Sequence, residues 1–317
     1  MYYRATMKHE APSIDPLEQK IADWARGQPG VRAVLMIGSR ATPQGARDGY
    51  SDHDVVLFLE PGSRLAERDD WLEVFGRPLI VLRETTEHRG ETVPTRLVQY
   101  RGGHRIDFTL SRVDLLRRIV EQDALPDWLA AGYRVLLDRD GDAARLHPAP
   151  SAAYVPRPPT SSEYGALVDT FWWETLYVSK YVTRCELMPA RYSLEVVLRY
   201  ECLIPMLEWY VQIPRGWEQS VGVRGRGLRW LLEPEDREVL DATYAGPTLA
   251  GHREALRAMI ELFRKAARAV ARDLGYHYPA IMDQETERLL ETAGGQGTDG
   301  AADRVDRVDP DDDEPGR

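Results

Sequence analysis

The pattern of apolar and polar positions divides the chain into two regions of different kinds. In the first region, short apolar runs of strand length alternate with polar turns and with helix patterns, one of them beginning at the capping residue Asp15. The predicted strands cover residues 31–37, 55–59, 79–82, 97–100, 105–110 and 133–137. The segment 101–104, Arg-Gly-Gly-His, predicts a hairpin turn. A mixed sheet with flanking helices and at least one antiparallel strand pair is therefore expected.

In the second region the strand signals give way to helical periodicity. Residues 147–159 contain five prolines in thirteen positions, and such a stretch forms neither a helix nor a central strand. Beyond it, helices are predicted over residues 162–187, 192–211, 235–244 and 249–274, with a kink at Pro205 in the second.

These patterns predict an α+β fold with two domains. The expected boundaries are an N-terminal domain at 1–146, a proline-rich linker at 147–160, an all-helical domain at 161–285 and an acidic tail at 286–317. The tail is rich in aspartate and glycine and has almost nothing to bury, so disorder is expected there.

Composition and charge narrow the class of protein. Hydrophobic residues make up 43% of the chain, but no apolar run approaches the roughly 20 residues of a membrane span. The net charge of −10 argues against a nucleic-acid partner and favours a cationic small molecule. The N-terminus does not read as a signal peptide, and the two cysteines, Cys185 and Cys202, are too few for a disulfide scaffold. A cytoplasmic protein is therefore expected.

Two aspartates flank a histidine where the second predicted strand begins. Asp52 and Asp54 are two residues apart and project to the same side of a strand, whereas His53 faces the other side. Carboxylates this close repel each other unless a cation lies between them. Either they lie at an exposed strand end, or they hold a hard cation such as Mg²⁺.

A third aspartate and a glycine–serine pair favour the second alternative. Asp107 interrupts a strand in which its neighbours Ile106 and Phe108 are apolar. If that strand lies beside the first pair of aspartates, three carboxylates converge, and repulsion of roughly 2–3 kcal/mol per close pair favours a metal ion. Gly38-Ser39 ends the first strand, where glycine admits a ligand close to the backbone and the serine hydroxyl can hold a phosphate oxygen.

Together these motifs resemble the DNA polymerase β-like nucleotidyltransferase superfamily, and more closely the aminoglycoside 6-adenylyltransferases, which inactivate streptomycin. The similar segments are GSRA (38–41), DGYSDHDVVLF (48–58), DDWLEVFG (69–76), RIDFTL (105–110), VLLDRDG (135–141), YVSK (177–180) and SVG (220–222). They extend in order from about residue 20 to 280 and so cover both predicted domains. After SVG the chain reads VRGRGLRW, where the family has a stretch that contains lysine.

The resemblance implies a reaction, namely the transfer of AMP from ATP to a hydroxyl of an aminoglycoside. Asp52, Asp54 and Asp107 would hold Mg²⁺, as two ions, on the triphosphate. Asp107 would also take the proton of the attacking hydroxyl, and pyrophosphate would leave. The phosphate-binding residues that the resemblance implies in the first domain are Gly38, Ser39 and Arg40.

The second predicted domain offers further candidates for binding nucleotide and substrate. Lys180 and Arg224 are expected to reach the phosphates of ATP. Glu174, Glu201 and Trp173 are expected to bind the cationic sugar, because carboxylates beside aromatic rings suit a cation. Glu201 is preferred because its surroundings in the sequence are apolar, and an ion pair with Arg199 or Lys180 is the competing explanation.

Three functions follow from these features. The first is adenylylation of streptomycin, which confers antibiotic resistance. The second keeps the chemistry but changes the acceptor to another hydroxylated antibiotic or to a protein side chain. The third is a catalytically idle protein that binds nucleotide, and the retention of all three aspartates argues against it.

Overall fold

The computed structural model describes residues 15–41, 48, 50–88, 91–150 and 154–296. The chain divides into two compact units, Met1–Ala153 and Tyr154–Arg317. The division falls inside the proline-rich stretch, and each unit contains its own buried apolar cluster.

The first unit is built on a mixed sheet. Among the described residues the sheet has six strands in the order β3-β4-β5-β2-β1-β6. The strands are β1 (Val31–Ile37), β2 (His53–Leu59), β3 (Pro78–His88), β4 (Glu91–Tyr100), β5 (Arg105–Arg112) and β6 (Tyr133–Asp138). β2 and β5 are parallel, and the other neighbouring strands pair antiparallel. The predicted mixed sheet is therefore confirmed.

Helices cover both faces of this sheet. They are α1 (Pro16–Arg26), α2 (Val113–Val120) and α3 (Asp127–Ala130). Ile21 of α1 packs with Leu57 and Phe108 on one face, while Leu116 of α2 packs with Val56 on the other. Central strands buried on both faces need continuous apolar runs, which explains why the polar residues of β2 are confined to its first two positions.

Strands β3 and β4 are longer than their apolar patterns indicate. The predicted segments 79–82 and 97–100 cover only the halves of the two strands that lie beside the hairpin turn at 101–104. The remaining residues of β3 are polar from Arg83 to His88. Most of β3 is exposed, and two of the three buried residues in the first half of β4 are the polar Thr95 and Arg96. Apolar periodicity therefore could not show the full length of either strand.

The described residues of the second unit form helices joined by turns and loops, without a strand, as predicted. Its α-helices are α4 (Ser161–Thr183), α5 (Leu187–Tyr192), α6 (Ile204–Tyr210), α7 (Leu228–Leu231), α8 (Pro234–Ala242), α9 (Leu249–Leu274) and α10 (Ala280–Gln296). Helix α4 begins with a capping box between Thr160 and Glu163. None of the described helices of the chain combines the length and the apolar character needed to cross a membrane.

Helix α10 corrects the predicted start of the tail. The acidic tail was expected from residue 286, but α10 continues to Gln296. Asp283 near its start is buried and accepts hydrogen bonds from Arg264, Arg268 and Tyr278. These contacts attach α10 to α9, and the polar composition of the segment concealed them. Residues 297–317 of the predicted tail lie outside the described residues.

The predicted helix 192–211 is a composite of three segments. Residues Ser193–Leu203 form a π-helix between α5 and α6, and Pro205 lies in the first turn of α6. A π-helix bonds i to i+5 rather than i+4, so it shifts which residues face the core. This shift changes the exposure of Glu201, as described below.

Candidate active site

The register of the parallel strands places two of the predicted aspartates side by side. Asp54 on β2 pairs with Asp107 on β5, and His53 pairs with Ile106 one residue earlier. Neighbouring strands are about 4.8 Å apart, so the two carboxylates project next to each other from one face. Asp52 and Arg105 immediately precede the first pair of this register and extend the same face.

The electrostatics of Asp54 show that the three carboxylates interact. The pKa of Asp54 is raised from 3.8 to about 6 by burial, then by the charges of Asp107 and Asp52, while Arg105 opposes the rise. A cluster with excess negative charge and hard oxygen ligands fits a divalent cation such as Mg²⁺.

Arg105 is a member of this cluster that the sequence analysis missed. Its Nε and Nη2 atoms donate to the two oxygens of Asp107 at 2.9 and 2.7 Å. Its Nη1 atom lies 3.7 Å from Oδ2 of Asp52. The signal was available in the sequence, because Arg105 stands two residues before Asp107 and so shares its face of the strand.

The turn after β1 lies against the carboxylates. Gly38 follows Ile37, which pairs with Asp54 across β1 and β2. Its φ is +70°, and a Cβ atom at this position would lie 2.2 Å from Oδ2 of Asp54. Gly38, Ser39 and Arg40 form a single 3₁₀ turn. Only glycine therefore allows the predicted phosphate-binding turn to approach the aspartates this closely.

The guanidinium of Arg40 is bound by oxygen atoms of neighbouring residues. Its guanidinium donates to Oδ2 of Asp15 at 2.7 Å, to the carbonyl of Ser51 at 3.0 Å and to the carbonyl of Asp48 at 3.4 Å. These bonds tie the Gly38–Arg40 turn to the segment that precedes β2. The predicted contact of Arg40 with nucleotide stays a prediction.

Asp15 was predicted only as a helix cap, yet it connects three segments. Its Oδ1 accepts from the amide of Leu17 at 2.8 Å, and its Oδ2 accepts from Arg40 and lies 3.2 Å from Nε2 of His53. Burial raises the pKa of Asp15, but the Leu17 amide and the neighbouring His53 and Arg40 outweigh it and lower the pKa overall. His53 is buried on the side of β2 opposite the aspartates, as the strand alternation predicted.

A separate group of two carboxylates and one histidine lies on the side of β2 opposite the three aspartates. The ligand atoms of Asp15, Glu18 and His53 all lie within 4.8 Å of one another, a spacing that the aspartate oxygens do not share among the described residues. Asp15 is paired with Arg40, however, and Glu18 is paired with Arg134 at 2.5 Å. The charges of this group are already balanced, whereas the aspartate cluster carries three carboxylates and one arginine.

In the second unit, Lys180 lies among aromatic rings. Its ammonium is 3.7 Å from the ring centroid of Tyr177 and 4.7 Å from that of Tyr181. It makes no ion pair with any residue that the structure describes. Trp173, 64% exposed, continues the aromatic row at 6.1 Å from Tyr177. Helix α4 thus presents a cation and an exposed indole about two turns apart.

The expectation for the surroundings of Glu201 is wrong. Glu201 is exposed, because the π-helical turn carries it out of the apolar core. The alternative pairing with Arg199 is also wrong, since buried Arg199 binds Glu195 and Thr243. Glu201 and Glu174 both lie close enough to the buried Cys202 that their charges, after burial, contribute to raising the pKa of its thiol to about 12.

These two acids and Arg224 are available to bind ligands. Neither Glu174 nor Glu201 forms an ion pair within the described part of the chain. Arg224 is exposed and adopts φ 53° and ψ 36° between Gly222 and Gly225, and it has no acidic partner among the described residues. The three charged side chains predicted to bind ligands on this unit are therefore not neutralised by ion pairs within the described residues.

The aspartate cluster and the adjoining glycine turn define a site able to hold a divalent cation and a phosphorylated ligand. A family model described as streptomycin adenylyltransferase matches residues 13–292. The chain belongs to this adenylyltransferase family.

Individual relatives carry related names. The chain is 27% identical over 267 residues to an aminoglycoside 6-adenylyltransferase of Bacillus subtilis (strain 168), covering 81% of this chain and 89% of the relative. It is 25% identical over 262 residues to the enzyme of the same name from Campylobacter jejuni, covering 82% and 88%. A crystal structure of an aminoglycoside 6-adenyltransferase from Bacillus subtilis aligns with 88% of this chain and 97% of that chain, at 24% identity and a TM-score of 0.43.

Proposed function

We propose that this protein transfers AMP from ATP to a hydroxyl of streptomycin and releases pyrophosphate. The observation that carries the proposal is the pairing of Asp54 with Asp107 in one register, with Asp52 beside them. Membership of the adenylyltransferase family and the names of the relatives support the nucleotide and the class of acceptor.

Asp52, Asp54 and Asp107 are the residues that would hold Mg²⁺, as two ions. The raised pKa of Asp54 supports this role, because the cluster favours added positive charge. When bound, Mg²⁺ neutralises the charge of the triphosphate and of the leaving pyrophosphate.

The remaining steps belong to the side chains and backbone of the chain. Asp107 takes the proton of the acceptor hydroxyl, whose oxygen then attacks the α-phosphorus in line with the departing pyrophosphate oxygen. Ser39 and the amides of its turn hold phosphate oxygens, and Gly38 keeps that turn close to the reacting group.

The helical unit supplies basic residues for ATP, and acidic and aromatic residues for the aminoglycoside. Lys180 and Arg224 bind the outer phosphates of ATP, and the absence of ion pairs at these side chains within the described residues supports this assignment. Glu174, Glu201 and Trp173 bind the cationic groups of the aminoglycoside by charge and by cation–π contact. Half-buried Glu208 joins them as a candidate, since burial raises its pKa and a bound cation would compensate its charge.

The test is to follow isotopic label from ATP to the acceptor. Label from α-labelled ATP is expected on streptomycin, and label from γ-labelled ATP is expected only in pyrophosphate. The variant Asp52→Asn should transfer no label while it keeps the thermal stability of the wild type. Transfer from the γ-position would reject the proposal.

The acceptor is tested by offering streptomycin, spectinomycin and kanamycin in parallel. The proposal expects streptomycin to gain one AMP by mass. Modification of another antibiotic or of a protein side chain would retain the chemistry and replace the acceptor. Nucleotide binding with no acceptor modified would indicate the catalytically idle alternative.

A further inference from the structure

We propose that Arg105 is the internal counter-cation of the aspartate cluster and leaves Asp52 and Asp107 when a divalent metal ion binds. The inference rests on the proposed function, which places the metal at these aspartates. In this arrangement the charge of Arg105 competes with the metal ion and so sets the affinity of the site for that ion.

The sheet register fixes Arg105 in this position. Arg105 and Asp107 share one face of β5, and Asp52 precedes the neighbouring strand at the level of Arg105. The guanidinium thus has a carboxylate on its own strand and another across the strand gap. The backbone register therefore brings both carboxylates within reach of the guanidinium.

The contacts of the guanidinium occupy the oxygens that a metal ion needs. Two nitrogens bind the two oxygens of Asp107 at 2.9 and 2.7 Å, and a third lies 3.7 Å from Asp52. Such a fork is the strongest arginine–carboxylate geometry. Mg²⁺ binds carboxylate oxygens at about 2.0–2.1 Å in a nearly ideal octahedron, and a guanidinium held at the same oxygens repels it.

The arginine also has room to move. Its side chain is 41% exposed, whereas that of Asp107 is 16% exposed. The guanidinium can therefore turn toward solvent while the aspartates keep their places in the sheet. Two arrangements result: a metal-free cluster neutralised by Arg105 and a metal-loaded cluster from which Arg105 has withdrawn.

Arg112 provides a matched control on the same strand. It lies at the opposite end of β5, where it pairs with Asp114 at 2.9 Å and its side chain is 63% exposed. Removal of its charge changes the net charge of the protein as removal of Arg105 does, but leaves the aspartate cluster untouched.

The experiment is a calorimetric titration of the full chain with Mg²⁺ alone at neutral pH, combined with thermal unfolding. Arg105→Gln is expected to bind Mg²⁺ roughly tenfold more tightly than the wild type, because no ion pair must be broken. Its melting temperature should fall without metal and return to the wild-type value at saturating Mg²⁺. Arg112→Gln should match the wild type in affinity. Arg105→Lys keeps the charge but cannot form the two parallel hydrogen bonds, so it should bind Mg²⁺ with intermediate affinity. This variant provides the test if Arg105→Gln does not fold.

The outcomes separate this inference from the proposed function. Equal or weaker Mg²⁺ binding by Arg105→Gln and Arg105→Lys would overturn the role of Arg105 and leave the metal site in place. Failure of the wild type and of both variants to bind Mg²⁺, alone or with ATP, would overturn the inference and the proposed metal site together.

Discussion

Asp54 and Asp107 face each other across β2 and β5, the parallel pair in a sheet whose other described pairs are antiparallel. This pairing brings together two like charges from distant parts of the chain. Burial and repulsion raise the pKa of Asp54 to about 6. Functional sites commonly contain such perturbed carboxylates, whose repulsion destabilises the folded protein in the absence of a ligand.

The raised pKa of Asp54 predicts an unusual pH dependence of the metal-free protein. A carboxyl with a raised folded-state pKa contributes stability that is complete below its unfolded value of 3.8 and is lost as pH rises through about 6. The loss in unfolding free energy is on the order of 2–3 kcal/mol. Asp54→Asn cannot ionise, so its stability should change less between pH 4 and 7, as measured by urea unfolding.

Asp114→Asn is the control for this measurement. Asp114 pairs with Arg112, and the pKa of its carboxyl is lowered, first by that hydrogen bond. Its contribution is therefore lost as pH falls, which is the opposite sign. A wild-type profile that Asp54→Asn leaves unchanged would contradict the account of the cluster.

Gly38→Ala is predicted to disturb the site by displacing Asp54. The new Cβ would lie 2.2 Å from Oδ2 of Asp54, in addition to the strain of φ +70°. Gly62→Ala is a matched control, because Gly62 has φ +86° and nothing within 4 Å of the added atom. Both variants should lose about 1 kcal/mol from backbone strain, but only Gly38→Ala should lose AMP transfer. Equal activities would show that the close approach at Gly38 is not required.

Asp15→Asn is predicted to loosen the turn without removing the helix cap. Asparagine caps helices as well as aspartate does. Any loss of stability in this variant therefore comes from removing the charge that contacts Arg40 and His53. We expect destabilisation of about 1–3 kcal/mol by chemical denaturation. Because the pKa of Asp15 is lowered, the wild type should lose this contribution as pH falls below the ordinary range of aspartate. Asp15→Glu, which restores the charge, should recover part of it.

Glu174→Gln and Glu201→Gln are predicted to weaken binding of the aminoglycoside and not of ATP. Each substitution removes a carboxylate that has no cationic partner within the described residues, so the KM for streptomycin should rise about tenfold per charge. Glu238→Gln on α8, where the carboxylate is exposed and has no ion pair in the described structure, should leave both KM values unchanged. A rise in the KM for ATP instead would move these acids from substrate to nucleotide binding.

Much of the fold was readable from the sequence because burial dictates its pattern. The apolar run of β1 and the amphipathic repeat of α9 gave their bounds directly. The π-helical turn at 193–203 was not readable, because helical periodicity assumes i+4 bonding, and the exposure of Glu201 was misjudged for that reason.

The candidate site was readable in its residues but not in its connections. Three aspartates at strand positions implied that a cation would compensate their charges, and the register brings two of them together. Sequence spacing could not reveal that Asp15 binds Arg40 or that Arg105 also lies beside Asp52 on the neighbouring chain segment. Such contacts depend on which strands become neighbours, and that is decided by packing over the whole sheet.

The most direct test of the central claim is to locate a divalent ion. Crystals grown with Mn²⁺ and a non-hydrolysable ATP analogue would show the ion by its anomalous scattering. The account predicts density about 2.1 Å from carboxylate oxygens of Asp52, Asp54 and Asp107. Density confined to the group formed by Asp15, Glu18 and His53, or none beside the three aspartates, would contradict it.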